Sequence, residues 1–201
     1  SLRLVGSEMC IRDSTNTSTI QIKKRDGRLE PLDIDKIHFV VEEACEGLSG
    51  VSSSQIDINA NIQFYDGMTT KEVQQILVRS ANDLISLEAP NYQYAAARLL
   101  SYDVRKEAHG QYEYIPLLKL IMRNIRVGVY DKAIVEQFNK TEIKKMNTWI
   151  KRDRDLDFTY AGLRQVVDKY LVQDRSTGAL YETPQDMYTV SYTHLTLPTT
   201  R

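Results

Sequence analysis

The chain has 201 residues, with 26 Lys and Arg against 27 Asp and Glu for a formal charge of −1, and 42% of its side chains are hydrophobic. This balance excludes a disordered or collagen-like chain, is long enough to bury a core, and lacks the basic excess that nucleic-acid binding calls for. It has no apolar run long enough to span a membrane, and two cysteines, Cys10 and Cys45, cannot build a disulfide scaffold or a four-cysteine zinc site; a cytoplasmic protein without disulfides is expected.

Residues 1–14, SLRLVGSEMCIRDS, show neither helical nor strand periodicity and lack the layout of a signal peptide. The Thr-rich residues 190–201, VSYTHLTLPTTR, are equally unpatterned. Both closely resemble peptides produced when sequencing-adapter DNA is translated, so both are expected to be disordered tails outside the fold. Setting them aside leaves 175 residues with 23 basic and 25 acidic side chains, one cysteine, Cys45, and two histidines, His38 and His109. That inventory is too small for a zinc site or a Cys/His nucleophile pair.

Residues 19–32 read as a β-hairpin: Ile20 and Ile22 alternate with polar neighbours, Asp26-Gly27 is a tight-turn pair, and Leu29 continues on the return strand. Asp33 is an N-cap for a helix bearing Ile34, Ile37, Val40, Val41, Ala44 and Cys45 on one face, ended by Gly47. The segment from Ser52 to Phe64 is ambiguous between helix and strand. Thr69 and Glu72 form a capping box for a helix with Val73, Ile76, Leu77, Ala81, Leu84 and Ile85. A fourth helix runs from Tyr92 to about Ala108 and closes at Gly110.

Past Gly110 the texture changes, and residues 109–115 are the expected boundary between two modules, 15–110 and 111–189. Helices are expected over 117–127 and 130–138, then one opened by Thr141 and Glu142 that includes Met146, Trp149 and Ile150. A charged stretch over 151–155 follows, then a helix over 159–170, a second hairpin over 171–181 turning at Ser176-Thr177-Gly178, and a helix start at Thr183-Pro184. The fold class is mainly α: a bundle of about four helices capped by a hairpin, then the start of a second helical domain that looks truncated.

No phosphate-binding loop, dinucleotide fingerprint or metalloprotease motif is present. Cations gather instead around the hairpin: Lys23-Lys24-Arg25 before the turn, Lys36 in the first turn of the next helix, and Arg105-Lys106 near the end of the fourth. A polyphosphate needs several cations around one point and free N–H groups such as those of a helix N-terminus. Thr70 adds a hydroxyl at another helix start. Each cation alone is equally readable as an ordinary surface charge.

The run Ile22-Lys23-Lys24-Arg25-Asp26-Gly27 followed by Leu32-Asp33-Ile34-Asp35-Lys36-Ile37 resembles the opening of an ATP-cone, a regulatory nucleotide-binding domain. Ile62-Gln63-Phe64-Tyr65-Asp66-Gly67 and Ala89-Pro90-Asn91-Tyr92-Gln93-Tyr94 through Leu99 are similar to the N-terminal part of the large (α) subunit of class I ribonucleoside-diphosphate reductase, bacterial class Ia. Lys169 to Gln173 and Thr177-Gly178 fit the start of that subunit's helical domain.

The resemblance implies a domain that binds ATP as activator or dATP as inhibitor, with Mg accompanying the triphosphate. Lys24 would meet the nucleotide from the hairpin, and Glu30, Pro31, Leu32, Asp33, Ile34, Asp35 and Lys36 would form the pocket wall. Backbone near Leu32 and Asp33 would face the adenine, Lys36 the phosphates, Thr70 would hydrogen-bond the nucleotide, and Lys106 would neutralise the triphosphate. Arg25, Ile37 and Phe64 would flank it, Ile37 and Phe64 being equally readable as core. Gln74 and Asp103 stand where some relatives place histidines, and an acidic Asp103 facing a triphosphate would weaken its binding. The implied parent reduces ribonucleoside diphosphates with cysteines in a ten-stranded barrel beyond this chain, and works as an α homodimer with a radical-generating β subunit. The fragment alone is expected to be inactive, with Cys45 a core residue and neither nucleic acid nor membrane as partner. Two other readings differ in class. A nucleotide-responsive repressor would need four zinc-binding cysteines before the cone, where only Cys10 stands; a ligand-free helical interaction module is the remaining alternative.

Overall fold

A computed structural model describes residues 20–24 and 26–195, with side chains described through residue 190. The expectations for Arg25 and for the tail at 1–14 therefore lie outside the described residues. The hairpin forms as expected: β1 (Gln21–Lys23) pairs antiparallel with β2 (Leu29–Pro31), Ile22 opposite Glu30. Gly27 takes φ +86°, and its N–H donates to the Lys24 carbonyl at 3.0 Å, closing the loop. The free edge of β1 is bonded too. The Lys23 N–H donates to Met68 O and the Gly67 N–H to Gln21 O, both at 2.8 Å, while the Gln21 N–H reaches Asp66 Oδ1 at 2.8 Å. Ile22 is thereby pressed into a small apolar cluster with Met68 and Val73.

Four helices follow. In α1 (Ile34–Cys45) the Asp33 carboxylate accepts the Lys36 N–H at 2.9 Å, the expected cap. The ambiguous segment is helical, α2 (Ser53–Asn61), because Ile56 and Ala60, one turn apart, both fall into the core while Ile58 and Ile62 face outward. α3 (Thr70–Asn82) carries the full capping box, Thr69 accepting from the Glu72 N–H and Glu72 accepting from the Thr69 N–H. Leu84 and Ile85 lie past its end. α4 (Tyr92–His109) is the bundle's centre: Ala95, Ala96, Ala97 and Leu99 are fully buried, and Gly110 at φ +74° closes it.

The second half contains α5 (Leu117–Arg126), α6 (Ala133–Gln137), α7 (Lys140–Asn147), a 3₁₀ turn over Arg152–Asp157, α8 (Tyr160–Lys169) and α9 (Pro184–Leu195). α7 begins one residue earlier than Thr141, since Asn139 Oδ1 accepts the N–H groups of Thr141 at 2.9 Å and Glu142 at 3.0 Å, and it ends before Trp149 and Ile150. The stretch 171–181 turns back on itself as expected, the Tyr181 N–H donating to Val172 O at 3.1 Å and the Asp174 N–H to Ala179 O at 2.9 Å, but its ladder is limited to the single antiparallel bridge of Gln173 and Leu180. Asp174 Oδ1 gathers the N–H groups of Ser176 and Thr177 within the turn, and Glu182 accepts the Val172 N–H at 2.9 Å, the one donor that a longer ladder would use. α9 starts at Pro184 as expected and continues to Leu195, so the backbone is helical across the first six residues of the stretch read as a tail. Val190 packs into the core of α5, α6 and α7.

The two halves share packing. The main core joins residues of α1 to α4 with Leu163 and Val167 of α8, Leu171 and Leu180. A polar junction also crosses from α4. Arg105 pairs with Asp155 at 3.1 Å, both side chains buried, and Asp155 accepts further bonds from the Tyr114 hydroxyl at 2.7 Å and the Gln185 amide at 2.6 Å. Burial raises the Asp155 carboxyl above the usual range, opposed by those three donors. One turn on, His109 accepts the Ile115 N–H at Nδ1 and donates from Nε2 to Asp186 at 2.9 Å, with both side chains fully shielded. Asp186 also accepts from the Thr183 N–H and hydroxyl, capping α9.

Candidate functional site

A cavity of about 600 Å³ lies beneath the hairpin, between α1, α3 and α4. Its volume is within the range of small-molecule pockets. β1 contributes Ile22, followed by Lys24; β2 contributes Glu30 and Pro31, with Leu32 and Asp33 leading into α1. Below them the helices supply Lys36, Ile37 and Val40, then Thr70, Val73, Gln74 and Leu77, then Tyr102 and Lys106. Each helical set repeats at three- or four-residue spacing, which brings the members onto one face.

The wall divides by chemistry. Ile22, Val40, Val73 and Leu77 make an apolar floor, while Lys24, Lys36 and Lys106 bring ammonium groups from three separate elements. Lys24 Nζ lies 3.1 Å from Glu30 Oε2 across the hairpin, pairing two side chains of the cavity wall. Lys106 Nζ stands 5.6 Å from the centroid of the Tyr102 ring. Asp33 is the second acidic wall residue, and its carboxylate is committed to the cap of α1. Two helix starts face the cavity, with Asp33 and Lys36 at the head of α1 and Thr70 at the head of α3. Both carry the positive end of a helix dipole. The Gln74 amide donates to the Leu99 carbonyl at 2.9 Å, fixing α3 against α4 at the back.

Of the residues expected at the site, Lys24, Glu30, Pro31, Leu32, Asp33, Lys36, Ile37, Thr70 and Lys106 line this one cavity. Ile34 and Asp35 do not: they sit round α1 from Lys36, and Ile34 is 57% exposed. Phe64 is half-buried in the core and absent from the wall, whereas Ile37 both lines the cavity and packs on the core. Of the two departures, Gln74 faces the cavity and Asp103 does not; Tyr102 takes the lining position. The expected opposition between Asp103 and a phosphate is therefore not built into the wall. The apolar floor and Tyr102 went unassigned in the sequence, although Val40 is one turn from Lys36 and Tyr102 one turn from Lys106.

No group of three or more His, Cys, Asp or Glu among the described residues could hold a metal ion. Cys45 is half-buried against the core, where burial pushes its thiol up to about 11, so it is protonated and unreactive at neutral pH.

Residues 20–107 match the ATP cone domain family. The chain is 44% identical over 170 residues to ribonucleoside-diphosphate reductase 1 subunit alpha of Salmonella typhimurium, covering 85% of this chain and 22% of that protein. It is 44% identical over 167 residues to the Escherichia coli protein of the same name, covering 83% of this chain and 22% of that protein. With the ribonucleoside-diphosphate reductase subunit alpha of Enterobacteria phage T4 it shares 39% over 168 residues, again 83% of this chain and 22% of the relative. The chain thus spans about a fifth of the length of these relatives.

Proposed function

We propose that the cavity beneath the hairpin, within the residues 20–107 that match the ATP cone domain family, binds ATP or dATP as an allosteric effector. The observation that carries this reading is the convergence of Lys24, Lys36 and Lys106, from three elements, on one cavity with an apolar floor. A nucleoside triphosphate has matching halves: a flat apolar base and a chain of negative charge. In the proposed pose the base lies toward Ile22, Val73 and Leu77, near the Leu32–Asp33 backbone. The phosphates reach Lys36, in the first turn of α1, and Lys106, in the last turn of α4, while the heads of α1 and α3 turn the positive ends of their dipoles to the same cavity. Lys24 closes over the nucleotide from the hairpin, and the Thr70 hydroxyl bonds the ribose or a phosphate. Mg would accompany the triphosphate.

The similarity to reductase α subunits supports a wider reading: this stretch is the regulatory part of a ribonucleoside-diphosphate reductase α subunit. In that setting the longer protein reduces ribonucleotides, and an α homodimer and a radical-generating β subunit are its partners. This stretch holds regulation and no catalytic thiol. Calorimetric titration of the 201-residue chain with ATP and dATP tests the binding directly. Lys36→Ala and Lys106→Ala should each weaken it by about 1.5–3 kcal/mol, roughly 10- to 100-fold, the usual worth of a hydrogen bond to a charged group. A folded chain that gives no heat with either nucleotide would overturn the reading.

A further inference from the structure

Tyr112 lies in the stretch 110–116 that joins α4 to α5, and three parts of the molecule meet on its ring. The Tyr102 ring is 5.0 Å away between centroids, inclined at 46°. The guanidinium of Arg105 stands 4.9 Å from the Tyr112 centroid and that of Arg152 stands 4.2 Å from it. The Tyr112 hydroxyl donates to Glu43 of α1, which also pairs with Arg152. Arg152 in turn opens the 3₁₀ turn whose Asp155 holds Arg105.

Tyr112 does not line the large cavity, but Tyr102 does. Tyr102 also borders a small void of about 40 Å³ shared with Tyr112, Arg105, Arg152 and Asp155. It is thus a common wall, and an open space beside a ring is what lets it move in an otherwise close-packed interior. The Lys106 ammonium stands 5.6 Å from the centroid of the Tyr102 ring, and a phosphate bound in the cavity competes for that same ammonium. Occupancy therefore changes what the Tyr102 ring faces, and such a differential interaction is what a ligand needs in order to shift an equilibrium.

We propose that Tyr112 is a positioning residue that couples occupancy of the cavity to the seating of the 3₁₀ turn 152–157, through the stack Tyr102–Tyr112–Arg152. The inference rests on nucleotide binding at the cavity. It is tested by amide hydrogen exchange of the whole chain with and without saturating ATP, with calorimetry alongside. In the natural sequence, exchange over 111–114 and 152–157 should change by about 5-fold or more on binding, the lower end of ordinary coupling between sites. Tyr112→Ala should still bind ATP, with the response at 152–157 lost. Tyr112→Phe keeps the ring and should keep the response, and it holds the test open if the alanine variant fails to fold. ATP binding with unchanged exchange at 152–157, or an alanine variant that responds like the natural chain, overturns the coupling and leaves nucleotide binding intact. A natural chain that does not bind ATP removes both.

Discussion

His38 on α1 is held between Asp57 of α2, 2.5 Å from Nδ1, and Glu42 one turn along its own helix, 3.1 Å from Nε2. The hydrogen bond to Asp57 raises the imidazole above its ordinary value of 6.5, desolvation opposes it, and Glu42 adds to the rise. A group raised on folding stabilises the folded state fully below its unfolded value, and that contribution disappears as pH climbs through the folded one. Thermal melts should therefore show the natural chain ahead of His38→Gln at pH 5.5, with the gap closing as pH passes above 6.5. A gap that does not change with pH would mean that the ring only packs. None of this was legible in the sequence, where His38 and Asp57 lie 19 positions apart and α2 itself was ambiguous.

At the scale of elements, α4 carries one row of residues into the cavity and another into the polar junction with the second half. Removing one partner of a buried ion pair leaves the other charged and shielded, at about 3–5 kcal/mol. Asp155→Ala should therefore destabilise the chain by about that amount in chemical denaturation, because Arg105 would lose its counter-ion. Replacing Arg105 with Met and Asp155 with Leu together should recover much of the loss. What the sequence disclosed about elements follows this division between near and far. The Asp26-Gly27 turn, the Asp33 cap and the Thr69–Glu72 box each act over a few residues, and all three form as expected. The second hairpin forms its turn and two cross-strand backbone bonds but only one bridge, because Glu182 takes the Val172 N–H. Among the site residues, the lysines stood out by charge, whereas Val40, Val73 and Leu77 sit on faces that a sequence reader assigns to the core.

Across the whole molecule, the boundary seen in the sequence near 109–115 is a change of texture and not a break in packing. Leu163 belongs to α8, in the second half, yet it is fully buried in the core shared with α1 to α4. Leu163→Ala should cost about 2–5 kcal/mol, as for other fully buried leucines. The loss should appear in the melting of the first half as well, read by hydrogen exchange along α3 and α4. A loss confined to residues 117–150 would show that the two halves fold independently. Long-range packing of this kind leaves no local signature in the sequence.

The hairpin's two edges bear on how the protein behaves at high concentration. Lys24 donates to Arg28 O and Leu32 to Ile20 O, so in β2 it is Leu29 and Pro31 whose backbone turns outward. Pro31 has no N–H to offer, and the strand is only three residues long. On the opposite side, 66–68 already satisfies β1. The β1 rim is therefore closed to a strand from a neighbouring molecule, and the β2 rim offers only a three-residue edge broken by a proline, a poor template for fibril-like addition.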